Sequence, residues 1–291
     1  MRPWLLWTFL AVVCWGVWAI LARLLGESLT AGQQQALSTL GLLPVIAALA
    51  ISGKLTSQGN RRRGAGYALA AGGLTCLGNI AYYDVLSRGA RAATVVPLTA
   101  LYPLVTVLLA VLVLGERLNR IQLAGVILSL GAIYLFNVQQ DGGFFSAWLL
   151  VALIPIGLWG VAALLQKLAT QQISGELATL WFLAAFFPVT AFLLLQQPLP
   201  ISVPTQTWLL VILLGFAFAL GNFALLVAFA RDGKASVIAP LAGLYPLASL
   251  PIAILLLGER PGFREGAGIL LALLAVIALA LESPASAPQP T

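Results

Sequence analysis

A few side chains in this otherwise apolar sequence can do what leucine cannot. Asn79 and Asn222 are amides inside long apolar runs. An amide in hydrocarbon must find a partner on a neighbouring helix or on a solute. Trp15 and Trp159 lie mid-run, away from the interfacial belts where Trp is usual. Offset aromatic faces of this kind can grip an apolar or aromatic solute. Tyr102 and Tyr245 stand inside paired proline segments, Pro97 with Pro103 and Pro240 with Pro246. Tyr82 and Tyr83 follow Asn79 by three and four residues, which puts all three on one helix face. The candidate binding residues are therefore Trp15, Asn79, Tyr82, Tyr83, Tyr102, Trp159, Asn222 and Tyr245, with Trp18, Gln166 and Trp181 as further candidates. Their chemistry is noncovalent recognition of a small amphipathic solute.

Each of these residues also has a packing role. The asparagines can be interhelical glue, and their presence in both halves of the chain favours that reading. The prolines free the carbonyls of Ala93, Thr99, Ser236 and Ala242 by removing a donor four residues on. They either line a wet cavity or only help helices pack. Tyr82 and Tyr83 are matched in the second half by Leu225 and Leu226. Asymmetry is what a ligand contact shows, so Tyr83 and Tyr102 are expected to border one central cavity with Asn79.

Covalent and metal chemistry have little to work with. His is absent, which removes His-based metal sites and Ser-His triads. Cys14 and Cys76 form no C-x-x-C pair. Asp84 is the single carboxylate within an apolar run, and Arg88 one turn on offers it a salt bridge. Glu116-Arg117 and Glu259-Arg260 close two runs and can anchor them by pairing, or gate them. Arg23 and Lys167 can snorkel. Gln33, Gln34 and Gln35 read as a solvated helix end. No cofactor and no metal are expected. The net charge of +6 fits Lys and Arg in cytoplasmic loops better than nucleic-acid binding.

The elements that position these residues follow from composition. The chain has 291 residues, 61% hydrophobic and 8% charged, with a mean hydropathy of +1.01. Soluble domains carry about 25% charged residues, so a soluble fold could not cover its surface. The runs are continuously apolar over about 20 residues, the length of a membrane-spanning helix. Transmembrane β-strands would instead alternate over about 10 residues. Ten such helices are predicted, over residues 4–25, 33–51, 64–86, 92–114, 121–138, 145–168, 176–196, 205–230, 235–257 and 263–281. The first is too long for a signal-peptide core and no small-residue cleavage site follows it, so it reads as retained. With the N-terminus inside, ten Lys and Arg face the cytoplasm and five face out (Arg23, Arg88, Arg91, Arg260, Arg264). Both termini are then cytoplasmic.

The most specific signal is an internal repeat. Gly78-Asn79-Ile80-Ala81 matches Gly221-Asn222-Phe223-Ala224. At the same offset Pro97-Leu98-x-x-Leu101-Tyr102-Pro103 matches Pro240-Leu241-x-x-Leu244-Tyr245-Pro246, and Leu114-Gly115-Glu116-Arg117 matches Leu257-Gly258-Glu259-Arg260. With one residue more of offset, Trp15-Gly16-Val17 matches Trp159-Gly160-Val161. Five helices per half is an odd number, so the second half enters the membrane from the opposite side. The expected fold is an all-α integral membrane protein of two inverted five-helix repeats, 1–140 and 145–282, followed by a Pro-rich disordered tail, 283–291. Inverted repeats of this kind build secondary transporters, with the site near the midplane between the halves.

These paired Trp-Gly, Pro-Leu-x-x-Leu-Tyr-Pro and Leu-Gly-Glu-Arg segments make the chain resemble the drug/metabolite transporter superfamily, in its EamA-type branch. The resemblance covers nearly the whole chain. It implies a multi-pass carrier of the bacterial inner membrane, most often an exporter, with a central cavity between the first, third and fourth helices of each half. It implies a small-molecule substrate and the lipid bilayer as partners, and leaves the oligomeric state open. Members move amino acids, other metabolites, drugs and lipid-linked sugars. The expected function is secondary transport of a small neutral or zwitterionic metabolite such as an amino acid. A lipid-group transferase or flippase would need clustered acids, His or Lys in the membrane, and a channel a continuous polar pore.

Overall fold

The computed structural model describes residues 3–26, 28–136, 147–197, 203–231 and 234–281. The predicted tail, residues 137–138 of the fifth predicted helix and the start of the sixth at 145 lie outside the described residues. The regular secondary structure among the described residues is helical, apart from one isolated bridge between Ser57 and Ile173.

The first half holds α1 (Pro3–Leu25), α2 (Ala31–Ser38), a 3₁₀ turn (Thr39–Leu42), α3 (Leu43–Ile51), α4 (Arg61–Ser87), α5 (Ala92–Thr99), α6 (Pro103–Leu114) and α7 (Arg120–Phe136). The second holds α8 (Ala147–Thr170), α9 (Gly175–Ala184), α10 (Phe186–Gln196), α11 (Thr205–Ala230), α12 (Ala235–Ala242), α13 (Pro246–Leu255) and α14 (Phe263–Ala280). Among the described residues eight segments are long and apolar enough to cross a membrane. The 27-residue α4, which carries Asn79 and three tyrosines, and the 17-residue α7 are not among them. Side chains such as Leu112, Leu195 and Leu255 point outward and are about 80% exposed, an apolar outer surface that suits a multi-pass membrane protein.

The halves are intertwined. α1 packs on α11 and α8 on α4, so the first helix of each half lies against the third of the other; α7 lies along α14. The fourth helices run antiparallel: Glu259, just past α13, accepts from the first amides of α5, and Glu116, just past α6, accepts from the second amide of α12.

Those fourth helices are broken rather than gently kinked, and the breaks fall at residues 100–102 and 243–245. Pro103 and Pro246 open the next helix, where a missing amide costs least. Pro97 and Pro240 sit inside α5 and α12. The freed carbonyls of Thr99 and Ala242 accept instead from the Tyr102 and Tyr245 amides, 3.1 and 3.3 Å away in tightened turns. The freed carbonyl of Ser236 accepts from Gln122 Nε2 at 3.5 Å.

Gly115 and Gly258 have φ of 67° and 66°, a left-handed turn that costs little only for glycine. Each turn carries the next residue, Glu116 or Glu259, back under the opposite half. The solvated helix end expected at Gln33–Gln35 is not there. Gln34 and Gln35 are buried, because α2 packs against α4, α10 and α11, and Gln34 donates to the Ala22 carbonyl at 3.2 Å.

Candidate functional site

Each Trp-Gly pair grips the opposite half twice. A Cβ at Gly78 would fall 2.5 Å from Trp159 Nε1, and one at Gly221 would fall 2.6 Å from Trp15 Nε1. Cβ atoms at Gly160 and Gly16 would fall 2.8 and 3.2 Å from the Tyr102 and Tyr245 carbonyl oxygens. The indole thus rests on the bare glycine before each asparagine, and the next residue lets the helix touch the break of the opposite fourth helix.

The two breaks are also tied to one another. Tyr102 Oη donates to the Ala239 carbonyl at 3.2 Å. In the exchanged arrangement Tyr245 Oη donates to the Val96 carbonyl at 3.4 Å and lies 3.2 Å from Thr99 Oγ1. Trp15 stands edge-on to Tyr102 and to Tyr245, with centroids 6.4 and 6.3 Å apart, and Trp159 edge-on to Tyr102 at 6.4 Å.

At this crossing lies a cavity lined by Trp15, Asn79, Tyr102, Trp159, Asn222 and Tyr245, six of the eight sequence candidates, together with Trp18 and Gln166. Tyr82 and Tyr83, expected on its wall, stand one layer behind it. Tyr82 stacks on Trp18 with centroids 4.8 Å apart, and Tyr83 Oη accepts from Trp18 Nε1 at 2.9 Å. The bulk of Trp18 takes the wall position and the tyrosines back it. Trp181 is not among the lining residues.

Sequence reading missed Thr75, Ala162, Ala163, Phe218 and Leu225, which complete the lining. The signal lay in comparing halves. Trp18 corresponds to Ala162, Thr75 to Phe218 and Ala22 to Gln166, so the scaffold repeats while the wall does not.

That difference sets the polar chemistry. Gln166 donates to Asn222 Oδ1 at 3.2 Å, and Asn222 donates to the Phe218 carbonyl at 2.9 Å. The first half has Ala22 in place of Gln166, and there Asn79 Oδ1 is buried with no partner among the described residues, as is Trp159 Nε1. No ionised side chain lines the cavity among the described residues, and none groups His, Cys, Asp or Glu as a metal would need.

The cavity volume is about 40 Å³, room for about two ordered waters. Pockets for small molecules occupy about 300–1,000 Å³, so a metabolite enters only if the walls separate.

The two ends of the crossing are held unequally. Buried Glu259 accepts from the Ala92 and Ala93 amides at 3.0 and 2.7 Å and from Arg23 at 3.3 Å. Beside it Arg91 pairs with Glu265 at 3.4 Å and donates to the Arg260 carbonyl. At the other end Glu116 accepts one bond among the described residues, from the Ser236 amide at 3.3 Å, and Gln122 donates to the Ser236 carbonyl. Both glutamates accept from backbone amides of the opposite half, and Glu259 pairs with Arg23; the pairing expected with the neighbouring Arg117 and Arg260 is not seen among the described residues. Asp84 pairs with Arg88 at 2.8 Å, partly exposed.

The profile of the EamA-like transporter family matches residues 2–138 and again 146–281. No curated protein matches the chain. A solved structure, titled only "Crystal structure of protein", is similar with a TM-score of 0.67 over 94% of both chains. At 19% identity that likeness is one of fold. Two repeats that together cover nearly the whole chain, crossing at paired Trp-Gly and Tyr-Pro segments, make this chain a member of the EamA-like transporter family, a membrane transporter of small solutes.

Proposed function

We propose that this chain is a secondary carrier of ten membrane-spanning helices in two inverted repeats, with both termini cytoplasmic. It moves a small neutral or zwitterionic metabolite, such as an amino acid, outward across the bacterial inner membrane by alternating access. The proposed substrate contacts are Trp15, Asn79, Tyr102, Trp159, Asn222 and Tyr245, with Trp18 and Gln166.

One observation carries this reading. Groups at the crossing of the broken helices join both halves and also border a cavity, and that cavity is contracted below the size of a metabolite. A site that both halves build, and that must open before it can bind, is what alternation between two openings requires. Among the described residues Glu259 accepts more bonds than Glu116, which supports access from the Glu116 side in this conformation. That side is the cytoplasmic one in the proposed topology, and export is the direction that the family resemblance implies. The tenth and ninth helices needed for the count are α4 and α7. α4 is 27 residues long and carries polar residues along it, and α7 is an apolar helix of 17 residues.

The test is flux of a solute panel into proteoliposomes holding the purified chain. Saturable, counterflow-competent uptake of at least one solute is expected. Uptake that rises linearly without saturation indicates a channel, and no flux for any solute overturns the carrier reading.

A further inference from the structure

The wall of the cavity restricts what it can hold more sharply than its aromatic content suggests. Both tyrosine hydroxyls are already engaged with backbone carbonyls across the crossing. Asn222 accepts from Gln166 and donates to the Phe218 carbonyl. Two fully buried atoms of lining residues have no partner among the described residues, the acceptor Asn79 Oδ1 and the donor Trp159 Nε1. The indole nitrogen rests on Gly78, the residue beside Asn79. Apart from Thr75, which donates to the Ala71 carbonyl, the remaining wall is aromatic and aliphatic, and among the described residues it has no charge.

On the carrier reading above, narrowed to its neutral branch and away from the zwitterionic amino acids, we infer that the solute is uncharged, with a flat aromatic body and an amide-like edge. Its N–H donates to Asn79 Oδ1, and its carbonyl accepts from the Trp159 indole N–H. The aromatic body lies among Trp15, Trp18, Tyr102 and Phe218. Orphaned buried polar groups are costly until paired, and an amide edge pairs both at once. A zwitterion would instead bring an ammonium and a carboxylate into a wall with no countercharge, and desolvating two ions without partners is more costly still. The asymmetry between halves has the same consequence. Gln166 silences Asn222, whereas Ala22 leaves Asn79 free to read the solute.

The inference is tested with four probes built on one ring: nicotinamide (neutral), nicotinate (anion), 1-methylnicotinamide (cation) and 1-methylnicotinate (zwitterion). Each is titrated calorimetrically into the purified full-length chain. Nicotinamide is expected to bind about tenfold or more tighter than the other three, the size of one good polar contact. Trp159→Phe keeps the ring and removes the N–H, and is expected to weaken nicotinamide alone. Asn79→Asp is expected to shift the preference to 1-methylnicotinamide, a gain that a merely damaged fold would not produce. Equal or tighter binding of 1-methylnicotinate to the wild-type chain overturns the inference, as does no binding of any probe. Saturable flux of some other solute in the proteoliposome panel would then leave the carrier reading standing. Loss of both results removes both.

Discussion

Trp159 and Gly78 meet across the two halves so closely that the glycine has no room for a side chain. A Cβ there would fall 2.5 Å from the indole nitrogen. Trp15 and Gly221 repeat the contact with the halves exchanged. A helix–helix contact in a membrane gains nothing from expelling water, so it depends on close approach of this kind. The indole meets the glycine through its rigid ring, leaving no flexible tip to swing aside. Gly78→Ala is therefore expected to lower stability by about 1–3 kcal/mol, typical of overpacking, and to reduce flux. Gly66→Ala, where a Cβ would meet nothing within 4 Å, is expected to leave the melting temperature and flux unchanged or slightly raise the former. A Gly78→Ala protein indistinguishable from wild type in thermal melting would show that the contact is looser than described.

The tyrosine pair has a role that its position on the wall conceals. Each hydroxyl ties one broken helix to the other, so Tyr102→Phe and Tyr245→Phe should each cost about 0.5–1.5 kcal/mol, the net worth of one hydrogen bond. Because the rings stay, solute affinity should change little while the exchange rate rises or falls with the eased break. Counterflow kinetics separate the two. A large loss of affinity with no change in rate would mean that the hydroxyls bind solute.

The unequal ends predict unequal mutants. Glu259→Gln loses a charged acceptor that serves two amides and Arg23, and should destabilise by about 1.5–3 kcal/mol. Glu116→Gln loses the charge on a single 3.3 Å bond and should cost under about 1 kcal/mol by the same measure. Thermal melts of the two purified variants compare them directly. Equal costs would remove the asymmetry on which the proposed side of access rests.

Pro97→Ala and Pro240→Ala restore a donor inside α5 and α12. They are expected to reduce flux more than expression, because straighter segments change how the breaks open. If both variants transport at the wild-type rate, these two prolines only help packing. The breaks then depend on Pro103 and Pro246.

Topology is checked by reporter fusions at Arg61 and at Asp141, the latter outside the described residues. They should report the cytoplasmic and outer sides respectively. The same side for both would contradict an odd number of spans between them and with it the inverted repeats.

Much of the architecture was legible in the residues alone. Hydropathy marks helices because a backbone in lipid has to satisfy its own hydrogen bonds. The repeat is legible because two halves under one packing geometry need glycine, proline and tyrosine at the same places. Trp15, Asn79, Tyr102, Trp159, Asn222 and Tyr245 were found for the same reason. What a one-dimensional pattern does not carry is depth. Asn79, Tyr82 and Tyr83 share a helix face by spacing, yet only the tertiary structure sets Asn79 on the cavity and the two tyrosines behind Trp18, because a side chain from another helix decides which layer is the wall. Likewise the sequence shows Gln166 and Ala22 at equivalent positions. Only packing against Asn222 turns that difference into one paired amide and one unpaired amide. Where the fourth helices break, how tightly Glu259 holds one end, and how small the closed cavity is all depend on contacts between residues far apart in the chain, and those exist only once the two halves have crossed.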